Sequence, residues 1–546
     1  MQYKTPGVYI VEKDAFPNTV VAVPTAIPVF LGYTETAADG PVSKKYVPTY
    51  IASMADYIKF FGGPYAPQFT LAANPDGKSY TVAQVETSRF FLYHSVALFF
   101  ANGGGPAYVV SVGSYADAVK NLKQMTDFLP TPDPKNPLPE APFDALKKVL
   151  DVTLVVAPDT TLLSKIDDWN GVWGQALQHC NKMQSRMAII DIWGGDNART
   201  HDADTDIISG TNGFREKIGT NFLNYAAAYY PWMNFNVVDA STISYNNLND
   251  ASLSLLITAL NSELTSMNPQ PAAPMATNMK ALYASLARPP APTPAPTPTP
   301  APATDTGTDA DKPVTPDAAA TTTPDPATIA RNHSQLMQVS PLYQRIISDM
   351  LLRANLLPPA SAMVGVYALT DANQGVWQAP ANTSIALAVS PAVDISSDDQ
   401  EDLNMPLDGK AVNAIRTIPG RGLVVWGART LDGNSQDWRY INVRRTLIML
   451  EQSIKAAVIS YVFAPNDAST WVAVQNMISN FLINQWKNGA LAGAKAQDAF
   501  SVAVGLGSTM TADDILDGYM RVTVKVAIVR PAEFIELTFQ QQMQVS

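Results

Sequence analysis

The chain alternates between short unbroken apolar runs and longer stretches in which apolar residues return every three or four positions. Val29-Phe30-Leu31-Gly32, Ala107–Val112, Val152–Ala157 and Met187–Ile192 are the unbroken runs. Bounded by Gly, Pro or Asp, runs of this length fit strands buried on both faces. Helical patterns lie between them. Ser53 to Phe61 has Ser53 as N-cap and Gly62-Gly63-Pro64 as stop. From Phe90 a helix packs through Leu92, Val96, Phe99 and Phe100 before a glycine turn, and another helix surrounds Trp173 to Gln184. Asn221 to Tyr230 leads into the aromatic cluster Tyr229-Tyr230-Pro231-Trp232, and Leu342 to Leu357 is helical before Pro358-Pro359. Strands separated by helices at these spacings predict an open α/β sheet, in a chain of mixed α+β content.

The last third changes character. Leu423 to Trp426 reads as a short buried strand and Leu431-Asp432-Gly433-Asn434 as a turn. From Ile441 onward Val443, Leu447, Leu450 and Ile454 recur at helical spacing, which places Arg444, Arg445, Glu451 and Lys455 elsewhere on the surface. A further helix runs from Ala468 to Lys487. Arg521 to Val529 alternates strictly, and after Pro531 the alternation resumes at Phe534, Ile535, Leu537 and Phe539. At the other end Thr5-Pro6-Gly7 is a turn and Val8, Tyr9, Ile10 and Val11 are β-prone. A strand there has no hairpin partner nearby. It pairs far away in the chain or in another molecule, unless both ends are ordinary edge strands.

Composition marks the boundaries. They are an arm over 1–25, an α/β outer body over 26–265 with a Pro-rich loop at 129–142, and a Pro/Thr/Ala-rich insertion over 266–340. A return into the body covers 341–395, a C-terminal domain 396–530 and a second arm 531–546. From Pro289 to Pro326 almost no bulky apolar residue occurs, so that stretch is expected to be extended and to tolerate removal. At 546 residues the chain is long enough for two or three cores. A net charge of -11 argues against a nucleic-acid groove. The single cysteine, Cys180, excludes an intrachain disulfide framework and fits synthesis in a reducing cytoplasm. No signal-peptide core opens the sequence and no apolar run is long enough to cross a membrane, so release by lysis is the expectation.

Candidate chemistry is sparse. Gly103-Gly104-Gly105 follows a helix and ends in Pro106-Ala107, unlike a phosphate loop, and reads as a tight turn. Gly505-Leu506-Gly507-Ser508 lacks the third glycine of a dinucleotide fingerprint. Of the four histidines, His94, His179, His201 and His333, only His179 adjoins Cys180, and neighbours on a helix diverge by ~100°. Asp167-Asp168, Asp398-Asp399 and Asp513-Asp514 sit in turn-like contexts suited to solvation or helix capping. No catalytic, cofactor or metal site is expected.

Several motifs together resemble contractile tail sheath proteins of myophage tails, R-type pyocins and phage-tail-like injection systems. In the C-terminal domain they are Pro419-Gly420-Arg421-Gly422, Trp426 to Leu431, and Trp438 to Arg445 before the long helix. Further matches are Thr5 to Tyr9, Val23 to Ala26, Phe30 to Tyr33, Phe99 to Gly104 with Ala107 to Val110, Tyr225 to Trp232, and Pro358 to Asn382 in part. The resemblance implies hexameric rings stacked helically around an inner tube, between baseplate and terminal cap proteins. It implies that both arms add strands to neighbours' C-terminal domains, which would form the inner wall. It also implies that the Ala468–Lys487 helix faces the tube, with Lys487 as its only basic residue and Lys495 as a nearby cation. Neither direct nucleic-acid contact nor membrane insertion is implied. The alternative is a soluble α/β hydrolase whose terminal strands close its own sheet.

Overall fold

The computed structural model describes residues 20–77, 79–130, 141–267, 269–288 and 325–537. The arm residues Val8, Tyr9, Ile10, Val11 and Phe539, most of the 129–142 loop and nearly all of Pro289–Pro326 lie outside them. Two compact units emerge: Met1–Tyr65 with Phe90–Val237 and Asn355–Ser546, and Ala66–Arg89 with Val238–Ala354.

The larger unit is built on a sheet of eight strands. Their order is Gly422–Trp426, Asn413–Ile418, Ala226–Tyr230, Met187–Asp191, Leu154–Val156, Pro28–Thr34, Ala107–Ser114 and Thr49–Ile51. Neighbours from Asn413–Ile418 to Ala107–Ser114 run parallel, and the two outermost strands run antiparallel. Side chains alternate across the sheet. Val29, Leu31, Tyr33, Val110, Val112, Val155, Ala188 and Ile190 enter one core with Trp169, Trp173 and Cys180 of the Ile166–Met183 helix. Phe30, Val109, Leu154, Val156, Met187 and Ile189 enter the other, against the helices Leu92–Ala101 and Ala360–Gln374. Burial on both faces is why these strands are continuous apolar runs.

One expected strand differs. Gly422–Trp426 is the sheet's outer strand, so only Val424 and Val425 are buried and Trp426 is 38% exposed.

Two buried carboxylates hold the helices of the second core. Asp159 accepts from the backbone N–H groups of Tyr33 at 2.8 Å and Phe91 at 2.6 Å. The carboxylate sits so close that a Cβ on Gly32 would meet Asp159 Oδ2 at 2.5 Å. Among the described residues Asp191 accepts only from the Ala360 N–H, at 2.7 Å, and its buried Oδ2 has no partner. Burial lifts the Asp191 carboxyl from 3.8 to about 7, against the opposing hydrogen bond from Ala360. Within that window the folded chain holds a proton that the unfolded chain has released. This group's contribution therefore falls as pH rises from about 4 to about 7. Asp191→Asn is expected to raise the melting temperature relative to wild type by more at pH 8 than at pH 5. The same shift at both pH values would contradict this.

The smaller unit packs the helices Asp250–Ser266, Ala273–Ala284, Pro326–Val339 and Pro341–Ala354 with the hairpin Phe69–Ala73/Tyr80–Gln84. Two of these helices fall within the 266–340 span read as an insertion. Met279, Tyr283 and Leu336 anchor them by burial, and the composition that resists burial begins only near Pro289.

Candidate functional site

The C-terminal region folds around the helices Ile441–Val458 and Ala468–Lys487 and the hairpin Phe500–Val504/Val522–Val526. Met449, Leu450, Val474, Ile478, Phe481 and Leu482 form its core, and Val20 and Val23 pack against it from the N-terminal segment. Asp467 caps the second helix by accepting from the Thr470 N–H at 3.0 Å, as its polar side chain just before an apolar-periodic run requires.

Arg444 and Arg445, expected at the surface, are buried at 3% and 4% exposure. Each is held by at least one partner distant in sequence. Arg444 stacks over Tyr225 at 4.0 Å and Trp438 at 4.7 Å. Arg445 grips both oxygens of Asp371, at 2.9 and 2.6 Å, and donates to the Thr25 carbonyl at 3.0 Å. Three residues before Arg445, Asn442 donates to the Trp377 and Val529 carbonyls at 2.8 and 3.1 Å. Ser453 accepts from the Val23 N–H at 3.0 Å. Arg429, 2% exposed, donates to Glu533 through Nε at 3.0 Å and Nη2 at 2.5 Å. Asn404 and Tyr440 also donate to Glu533, at 2.8 and 3.2 Å. The motif residues thus hold Thr25 near the N-terminus and Val529 and Glu533 near the C-terminus, a role their local pattern did not reveal.

From Phe534 to Leu537 the chain is open to solvent. Phe534, Ile535 and Leu537 are 70%, 78% and 73% exposed. Nearby, the hairpin is a two-stranded sheet with no third strand among the described residues. Its register pairs Val502 with Val524, and Ala527 donates to the Ala499 carbonyl at 2.8 Å. By the alternation of an antiparallel ladder, Val522, Val524 and Val526 therefore turn their backbone polar groups away from the partner strand. On the opposite edge the Gln475 amide already donates to the Val502 carbonyl at 2.9 Å. Val522–Val526 is the more open edge.

On the Ala468–Lys487 helix, Val474, Met477, Ile478, Phe481, Leu482 and Gln485 face inward. Asn476, Asn480, Asn484 and, at the C-cap, Asn488 recur at four-residue spacing and are exposed. Lys487 ends this helix beside that amide row, and Lys495 precedes the short helix Ala496–Ala499. Both lysines are exposed, and neither forms an ion pair among the described residues. The amide row was visible in the sequence, but a search for charge passes over it.

The groups that could suggest catalysis are structural. Burial pushes the Cys180 thiol up to about 12. His179, lowered to about 3 by burial and then by Arg186, shares a 3.0 Å hydrogen bond with that arginine. Asp399 and Asp514 close capping boxes with Ser396 and Thr511. No cluster of His, Cys, Asp or Glu suited to a metal occurs among the described residues. No helix among them is long and apolar enough to cross a membrane.

Comparison with known proteins points one way. Residues 434–542 match the phage tail sheath C-terminal domain family. A tail sheath protein of Burkholderia phage BcepMu is 28% identical over 147 residues, which cover 26% of this chain and 30% of that relative's length. Over 99% of both chains the fold matches the sheath of the extracellular contractile injection system PVC in its contracted state, with TM-score 0.55 and 25% identity. The contracted helical sheath of the anti-feeding prophage matches over 99% of this chain and 100% of its own, with TM-score 0.55 and 26% identity. The likeness read from the sequence is borne out, and the hydrolase alternative finds no support.

Proposed function

We propose that this chain, with its tail sheath C-terminal domain and the fold of contractile sheaths, is the repeating subunit of such a sheath. Copies polymerise as stacked hexameric rings around an inner tube, between a baseplate and a terminal cap, and shorten to drive the tube through a target envelope. The chain acts by assembly and not by catalysis. Assembly takes place in the cytoplasm and particles leave by lysis.

The observation that carries this reading is the open Val522–Val526 edge beside two firmly rooted chain ends. A two-stranded sheet is marginal alone, and an unpaired edge invites another strand. Residues Val8–Val11 and Phe534–Phe539 have the β-prone pattern to fill it, and in an assembly they come from neighbouring copies. Main-chain hydrogen bonds depend little on side-chain identity, so such joints persist while the bodies rotate. Contraction then follows from better contacts between bodies in the short state, with the long state held by tube and baseplate.

The Ala468–Lys487 helix is the proposed tube-facing element. Its exposed amides, with Lys487 and Lys495, supply polar contacts of low individual strength. Exposed ion pairs at ~0–1 kcal/mol each release readily, as contraction requires. Electron microscopy of the concentrated purified chain tests the reading. Tubes or stacked rings are expected, and compact monomers alone across several salt conditions would contradict it.

A further inference from the structure

Described segments near both termini meet one helix. Asn442, Arg445 and Ser453 of Ile441–Val458 are spaced three and eight residues apart, which puts them along one face. Arg445 and Ser453 hold Thr25 and Val23, while Asn442 holds Val529. Four residues after Val529 comes Glu533, the last gripped position before the exposed arm.

That grip is directional. Arg429 uses Nε and Nη2 on the Glu533 carboxylate and Nη1 on the Asn404 carbonyl, the last at 3.2 Å. A planar guanidinium fixed on two sides sets the orientation of a carboxylate as well as its position. The Asn404 amide and the Tyr440 hydroxyl complete the hold. Three residues later Glu536 is exposed and makes no hydrogen bond or ion pair among the described residues. The two acids on one short segment therefore have different duties.

We propose that Glu533 is a positioning residue that fixes the direction in which the C-terminal arm leaves the body, so that the arm meets a neighbouring copy preset. This rests on the sheath reading above. A preset arm loses less orientational freedom when it joins another sheet, so assembly begins at lower concentration.

Spin labels at Ile535→Cys and Glu401→Cys report the arm against the exposed face of the Ser397–Asn404 helix, and the buried Cys180 stays unlabelled. In the unassembled subunit the distance distribution is expected to be narrow for the parent and for Glu536→Gln, and broad for Glu533→Gln. Without labels, Glu533→Gln is expected to need roughly tenfold more protein to form tubes, while Glu536→Gln assembles normally. Should Glu533→Gln fail to fold, Tyr440→Phe removes a single donor and broadens the same distribution. Identical distributions and assembly thresholds for Glu533→Gln and Glu536→Gln overturn the proposal. If the wild type never forms tubes, the sheath reading fails, and the distance distributions still decide the role of Glu533.

Discussion

Replacing Arg445 by methionine is expected to cost about 3–5 kcal/mol of folding stability, because it strands a buried carboxylate. The side chains of Arg445 and Asp371 are only 4% and 7% exposed. Without the guanidinium, Asp371 keeps its desolvation and loses its counter-charge, and the Thr25 carbonyl loses a donor. Methionine preserves much of the volume over Tyr367, whose ring lies 4.7 Å from the guanidinium, so the loss reports charge and hydrogen bonding more than packing. Arg445→Lys should fall between, since an ammonium cannot span both oxygens and the carbonyl. Urea unfolding of the single and double variants with Asp371→Asn measures the coupling. The double variant should be markedly less destabilised than the sum of the singles, and simple additivity would contradict a specific pair.

The parts legible in the sequence are those whose causes are local. Val29–Gly32 and Met187–Ile192 announce buried parallel strands because both faces need apolar side chains. Ser53 and Gly62 mark helix ends by capping chemistry. Burial of Arg444 and Arg445 was not legible. Helical spacing distinguishes faces of an isolated helix, and their partners Tyr225, Asp371 and Thr25 arrive from remote segments. The smaller unit was hidden for a related reason. It joins Ala66–Arg89 to Val238–Ala354 across a long intervening stretch, and its hairpin at Phe69–Gln84 has strands of mixed polarity. In the candidate site, the alternation of Arg521 to Val529 disclosed a strand. Its open edge depended on knowing that, among the described residues, Val522–Val526 pairs with no strand but Phe500–Val504.

Removing residues 1–14 is expected to abolish tube formation while leaving the body folded. The cores on both faces of the eight-stranded sheet are built from Val29 onward, so they do not draw on the deleted segment. What the deletion removes is the β-prone run Val8–Val11, the proposed donor strand. The effect should be near all-or-none, because a helical lattice multiplies the loss of one joint over every copy. Unchanged far-ultraviolet circular dichroism and melting temperature would separate this outcome from misfolding.

Strand exchange between copies is the central claim, and a cross-link between differently tagged copies tests it most directly. One copy carries Thr523→Cys on the open strand, and the other carries Tyr9→Cys or Ile535→Cys in an arm. After mixing and mild oxidation, the account predicts a disulfide joining the two tags for at least one arm, appearing together with tubes. Tubes that form normally with neither arm cross-linked to position 523 of another copy would contradict it.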